Sequence, residues 1–179
     1  MQDNTNEEYD EAIEICKDIF IKKTKDYGTS WRVYRTIAVV DQIFIKAKRI
    51  RTIQEKKDQK IADDIKGEFV GIINYAVIGL IQLSAIPGDI LDLPENEVSK
   101  LYDSQIALAK GLMVNKNHDY GEAWREMSQE SFVDLILAKI LRIKSILANN
   151  GVTIASEGID ANYLDIINYA AFALILNKL

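Results

Sequence analysis

The chain has 179 residues, a net charge of −5, 48% apolar and 27% charged residues, and one cysteine. These values suit one compact domain, and they exclude a disulfide framework and the basic surface on which a duplex-binding protein depends. Cys16 reads as a plain buried thiol in a reducing, cytoplasmic setting, the polar start does not read as a signal peptide, and no apolar run approaches the ~20 residues of a membrane span.

Residues 1–6 are polar and read as frayed. From Glu7, the spacing of Tyr9, Ala12, Ile13, Cys16, Ile19 and Phe20 predicts a helix. It should stop near Asp26, ahead of Tyr27-Gly28. A loop carrying Trp31 and Arg32 follows. A second helix is predicted from Ala38 to Glu55, a charged turn over 56–60, and a third helix from Ile61 to Ala85. Pro87, Gly88 and Pro94 mark a linker over 87–94. The plan then repeats: a helix over 95–117, a loop, a helix over 131–148, a turn at Asn149-Asn150-Gly151, and a helix over 157–178. Nothing alternates with period two for long enough to predict a strand.

The repetition is literal. Lys23, Asp26-Tyr27-Gly28 and Trp31-Arg32 return 93 positions on as Lys116, Asp119-Tyr120-Gly121 and Trp124-Arg125. Between 23 and 53, 13 of 31 positions are identical at that one offset, which identifies an internal duplication. One residue further out of step, Ile72-Ile73-Asn74-Tyr75-Ala76 returns as Ile166-Ile167-Asn168-Tyr169-Ala170. The expected fold is all-α: two pseudo-twofold-related three-helix repeats, over 1–86 and 95–179, packed into one helical bundle. A helix triplet of this size cannot bury its apolar stripe alone, but two can bury theirs against each other, as in a homodimer. The third helices, apolar almost all round over 72–83 and 164–176, belong at the centre. A homodimer of the whole chain stays open.

The two copies serve as an alignment of two. Apolar positions drift: Phe44 faces Leu137, and Val39 faces Phe132. Lys46/Lys139, Arg49/Arg142, Asp41/Asp134 and Asn74/Asn168 do not drift, which points to a constraint beyond packing. On the second helix, Lys46 falls in angle between Ile50 and Ile53, and Arg49 sits beside Ile53. An unpaired buried cation costs several kcal/mol. Lys46, Arg49, Lys139 and Arg142 therefore need anions, either carboxylates of a neighbouring helix or an external phosphate, and Lys23 and Lys116 extend the phosphate-binding set.

On the last helix Glu157, Asp165 and Asn168 fall within an arc of about 80°. They form an oxygen-ligand set suited to Mg²⁺, to which Asp119 can add. The bland alternatives are dipole complementarity for Glu157 beside a Ser156 cap, and a capping box from Ser131 for Asp134. Tyr27, Trp31, Tyr120 and Trp124 are either aromatic plugs or stacking surfaces for a base, with Tyr169 and Asn168 in the same pocket. His118 faces Lys25 in the other copy, which argues against a general base. There is no Ser-His-Asp set, no Cys/His zinc spacing and no glycine-rich phosphate loop.

Lys-x-x-Asp-Tyr-Gly-x-x-Trp, then Asp-x-x-x-x-Lys-x-x-Arg-Ile, then Ser156-Glu157-Gly158-Ile159-Asp160 and Leu164-Asp165-Ile166-Ile167-Asn168-Tyr169-Ala170 resemble the nucleotide-modification-associated domain family, formerly a domain of unknown function. The resemblance covers nearly the whole chain, in the tandem form met in the Bacteroidetes. The first copy departs from the motif at Lys66 and Gly71, where the motif has Asp, so the second copy is the expected metal site. The helical plan is also similar to MazG-like all-α NTP pyrophosphohydrolases, which hold Mg²⁺ with Glu and Asp of two helices, although their paired Glu-x-x-Glu is missing from the second helix here. The resemblance implies a protein that binds a nucleotide-like phosphate with Mg²⁺, as a pyrophosphohydrolase-like enzyme. The competing expectation is a non-catalytic helical scaffold or regulatory protein-binding module whose charges pair internally. An open cleft shared by cations and acids supports the first; closed internal pairing supports the second.

Overall fold

The computed structural model describes residues 2–57, 64–86 and 88–177. They form six α-helices: α1 (Gln2–Tyr27), α2 (Thr36–Lys56), α3 (Ile65–Leu83), α4 (Glu95–Tyr120), α5 (Gln129–Ala148) and α6 (Ile159–Leu176). No strand occurs among the described residues. The expected start of the third helix over 61–63 and the turn residues 58–60 lie outside them.

Each repeat begins with a long helix that ends at its Asp-Tyr-Gly. Gly28 and Gly121 have φ of +67° and +62°, a region that favours glycine because it has no Cβ. The Gly28 amide closes α1 by donating to Thr24 O at 2.8 Å. The loops expected at the tryptophans are single turns of 3-10 helix, Ser30–Val33 and Ala123–Glu126. Their brevity hides them from periodicity.

Some boundaries differ from expectation for identifiable reasons. Residues 2–6 are not frayed but belong to α1, because Thr5 is buried and hydrogen-bonds Arg125 and Glu122 of the other repeat. Helix α5 starts earlier than expected. Its cap is Ser128, which accepts from the Ser131 amide, so Ser131 and Asp134 form no capping box. Helix α6 is preceded by Gly158, not by a Ser156 cap.

Helices α3 and α6 pack against each other, α2 lies on α3 and α5 on α6, and α2 meets α5 across the pseudo-twofold. Ile72, Ile73, Ile166 and Ile167 are fully buried at the centre, each worth roughly 1.5–3 kcal/mol by its removal from water. Contrary to the sequence expectation, α3 and α6 are long and apolar enough to cross a membrane, but 61% and 67% of those spans are buried inside the fold. Cys16 is buried too, and that burial pushes its thiol up to about 12.

Candidate functional site

The retained polar positions divide into cross-ties and site residues. Asp41 of α2 pairs with Lys144 of α5 at 2.9 Å, and Asp134 of α5 pairs with Arg51 of α2 at 3.6 Å. These are one contact made twice by the dyad. Asn168 is buried with both ends of its amide engaged: Oδ1 accepts from Tyr9 at 2.8 Å, and Nδ2 donates to Ala109 O at 3.0 Å. Asn74 repeats this with Tyr102 and Cys16 O. The asparagines are retained because they tie the repeats together, and Asn168 is not free for a base or a metal.

The tryptophans are plugs. Trp31 is buried beside Phe20, and Trp124 is buried in a parallel stack on Phe172 with centroids 4.2 Å apart. The Arg125 guanidinium lies 4.4 Å from the Trp124 ring centroid.

The lysine pair behaves differently in the two repeats. In the second, Asp165 of α6 is 5% exposed. Its Oδ1 takes Lys116 Nζ of α4 at 2.7 Å, and its Oδ2 takes Lys139 Nζ of α5 at 2.7 Å. Partial burial pulls the Lys116 pKa down, but the hydrogen bond and charge of Asp165 outweigh it, helped by Tyr169 and Glu157, and the net shift is upward. One carboxylate thus pairs with two ammonium groups, one at each oxygen.

In the first repeat the position of Asp165 is Gly71. The Lys46 stem lies flat on it, so that a Cβ there would sit 2.8 Å from Lys46 Cε and 3.1 Å from Nζ. The nearest carboxylate, Glu68, is one turn earlier on α3. It receives Arg49 Nη1 at 2.7 Å and Lys46 Nζ at 3.6 Å. Lys23, the counterpart of Lys116, makes no ion pair among the described residues. Where the second repeat has a carboxylate, the first has a cleft of about 460 Å³. Lys23, Lys46, Asp64, Glu68, Gly71 and Trp31 line it, together with Tyr27, Tyr34 and Tyr75. That volume is in the range of small-molecule sites. Desolvation, then neighbouring phenols and Asp26, raise the Tyr27 and Tyr75 pKa values, and Tyr75 also hydrogen-bonds Tyr34. Tyr27 and Tyr75 thus stay neutral phenols at physiological pH, and all three hydroxyls can donate hydrogen bonds. The Lys46 ammonium lies 5.8 Å from the Tyr75 ring centroid.

The remaining predicted residues are not gathered into this site. Arg142 and Glu157 line a separate groove of about 870 Å³ with Lys139 in the second repeat. Tyr120, Asp119 and His118 are exposed, with His118 Nδ1 3.1 Å from Asp119 Oδ1. The expected Mg²⁺ ligands do not fit that ion. Among the described residues no three His, Cys, Asp or Glu side chains converge at metal-binding range, and Asp165 and Asn168 spend their oxygens on lysines and Tyr9. The sequence reading missed Tyr34 and Tyr75. The signal available for Tyr34 was its replacement by Met127 in the other copy.

The architecture is that of an all-α protein made of two packed repeats, one with a cleft lined by Lys23, Lys46, Asp64 and Glu68 and one whose equivalent lysines share the buried Asp165. Residues 23–83 and 116–176 each match the family described as nucleotide modification associated domain 1, and the chain belongs to that family. No curated protein and no solved structure matches the chain.

Proposed function

We propose that the chain binds a nucleotide-like phosphate in the cleft of the first repeat. The observation that carries this reading is the exchange of Asp165 for Gly71 beside a retained pair of lysines. Lys23 and Lys46 keep the positions that hold a buried carboxylate in the other repeat; position 71 itself carries none, and Glu68, one turn earlier, meets Lys46 only at 3.6 Å. An external anion completes the set. Lys46 shifts from Glu68 to the ligand, while Arg49 keeps Glu68 neutralised. The phenols of Tyr27, Tyr34 and Tyr75 donate to phosphate or sugar oxygens, and the exposed Tyr27 ring offers a face to a base. The family description, which associates the domain with nucleotide modification, agrees with this ligand class. No hydrolytic step is assigned.

The scaffold reading has its own support in the second repeat, where the half-exposed Lys116 and the largely buried Lys139 both pair with Asp165. The two readings divide between the two copies.

The test is a thermal-shift series with nucleoside mono-, di- and triphosphates, with and without Mg²⁺, on wild type and Lys23→Met. A ligand that binds only the folded state raises Tm in proportion to its occupancy. At least one nucleotide should stabilise the wild type, and Lys23→Met should lose most of that shift while its ligand-free Tm stays unchanged. Absence of any nucleotide-dependent shift at millimolar concentration would exclude the reading.

A further inference from the structure

We infer that Asp165 is a built-in occupant of the second repeat's anion site, so that the chain has one phosphate site open and an equivalent one closed by its own carboxylate. The inference deepens the reading of the first-repeat cleft and rests on it for the ligand class. Three observations carry it. Asp165 stands at the position of Gly71, on the same turn of the equivalent helix. Each of its oxygens meets one of the two ammonium groups that the duplication retains, both at 2.7 Å. It is also the only acid among the buried polar side chains of the described residues, and a buried carboxylate is tolerated when cations satisfy it. A two-oxygen anion held between two lysines is the arrangement that a phosphate would take in the first repeat.

The position 71/165 therefore decides which repeat can accept a ligand. Asp165→Ala removes the internal anion and leaves Lys116 and Lys139 facing the vacated space. Gly71→Asp does the reverse. The atoms that a new side chain would meet at Gly71 are the flexible end of Lys46, and Lys139 in the other repeat shows how that lysine accommodates an aspartate.

The experiment is calorimetric titration of the full chain with inorganic phosphate, with Tm measured on the same samples. Asp165→Ala should bind one more equivalent than wild type, and Gly71→Asp one fewer. Gly71→Asp should also raise the ligand-free Tm, because the new carboxylate pairs with Lys23 and Lys46. An unchanged phosphate stoichiometry in Asp165→Ala overturns the inference. If that variant does not fold, Asp165→Ser, which keeps a hydroxyl for one ammonium, takes its place under the same criterion. A lowered Tm in Gly71→Asp also overturns it, whatever the titrations show. If wild type binds no phosphate while Asp165→Ala binds one equivalent, the open-cleft reading fails and the closed site stands.

Discussion

Tyr9 of the first repeat donates its phenol proton to Asn168 Oδ1 of the second at 2.8 Å, and Tyr102 of the second repeat donates to Asn74 Oδ1 of the first at 2.8 Å. Each asparagine then donates back to a carbonyl of the first helix in its own repeat, Ala109 O for Asn168 and Cys16 O for Asn74. The bonds link α1 to α6 and α4 to α3. They bury four polar side chains with each of these hydrogen bonds satisfied. Neither repeat can keep its asparagine satisfied without the other.

Removing either phenol should therefore cost similar amounts. Tyr9→Phe leaves the Asn168 oxygen buried without a donor, and Tyr102→Phe does the same to Asn74. Each should lose about 1–3 kcal/mol in urea unfolding. The double variant should lose close to the sum, because the two ties share no partner. A loss below about 0.5 kcal/mol in both single variants would mean that water reaches these amides.

The dyad is broken at a neighbouring position, with the opposite consequence. Tyr163 of α6 is fully buried, and its hydroxyl has no hydrogen-bond partner among the described residues. Its ring lies on Gly79, where a Cβ would come within 2.5 Å of the ring. The counterpart of Tyr163 in the first repeat is Phe69. Tyr163→Phe removes an unsatisfied polar group and keeps the ring, so it should stabilise the chain by about 1 kcal/mol. Gly79→Ala should instead cost about 1–3 kcal/mol through overpacking. Urea midpoints of the two variants moving in the same direction would contradict this account of the contact.

The lysines give a test that distinguishes the repeats. Lys139 is 12% exposed and shares Asp165 with Lys116, whereas Lys46 is 26% exposed and shares Glu68 with Arg49 at the longer distance of 3.6 Å. Lys139→Met should cost about 2 kcal/mol, less than the loss of a sole partner because Lys116 remains. Lys46→Met should cost less than half of that. The raised Lys116 pKa adds a pH signature. Its contribution is complete below the ordinary lysine value and is lost as pH rises through the elevated one. The gap in stability between wild type and Lys116→Met should thus be constant near neutrality and shrink above about pH 10.5.

The sequence made the architecture legible because duplication and helical periodicity are both local signals. Six helices, their order and the central place of α3 and α6 follow from them. The partners of the retained polar residues were not legible, since they depend on the register between helices. Asp41 and Asp134 read alike in sequence and serve as cross-ties. Lys46 and Lys139 also read alike, yet Lys139 meets a buried aspartate at 2.7 Å and Lys46 only Glu68 at 3.6 Å, beside a cleft. Gly71 read as a defect in a metal motif. Its effect, an open space beside two cations, required knowing that Lys23 and Lys46 converge there.

The N-terminal tie makes one contribution to stability that acid removes. Glu122 accepts from Thr5 of α1 and from Arg125 Nε at 2.7 Å, and Arg125 Nη2 reaches Thr5 Oγ1 at 2.7 Å and Glu8 at 2.5 Å. Desolvation raises the Glu122 pKa, but the hydrogen bonds from Thr5 and Arg125 and the arginine charge outweigh it, and the net shift is downward. A carboxyl with a depressed folded-state pKa adds stability that is complete above the unfolded value, about pH 4.3, and is lost as pH falls below it. Glu122→Gln removes the charge that carries this dependence. It should be about 1 kcal/mol less stable than wild type at neutral pH, a charge-assisted bond discounted for partial exposure. The two proteins should converge in stability toward pH 3. Guanidinium unfolding at fixed ionic strength across that range measures the gap, and a gap that persists at low pH would place the stabilisation in the shape of the Thr5 contact and not in the glutamate's charge.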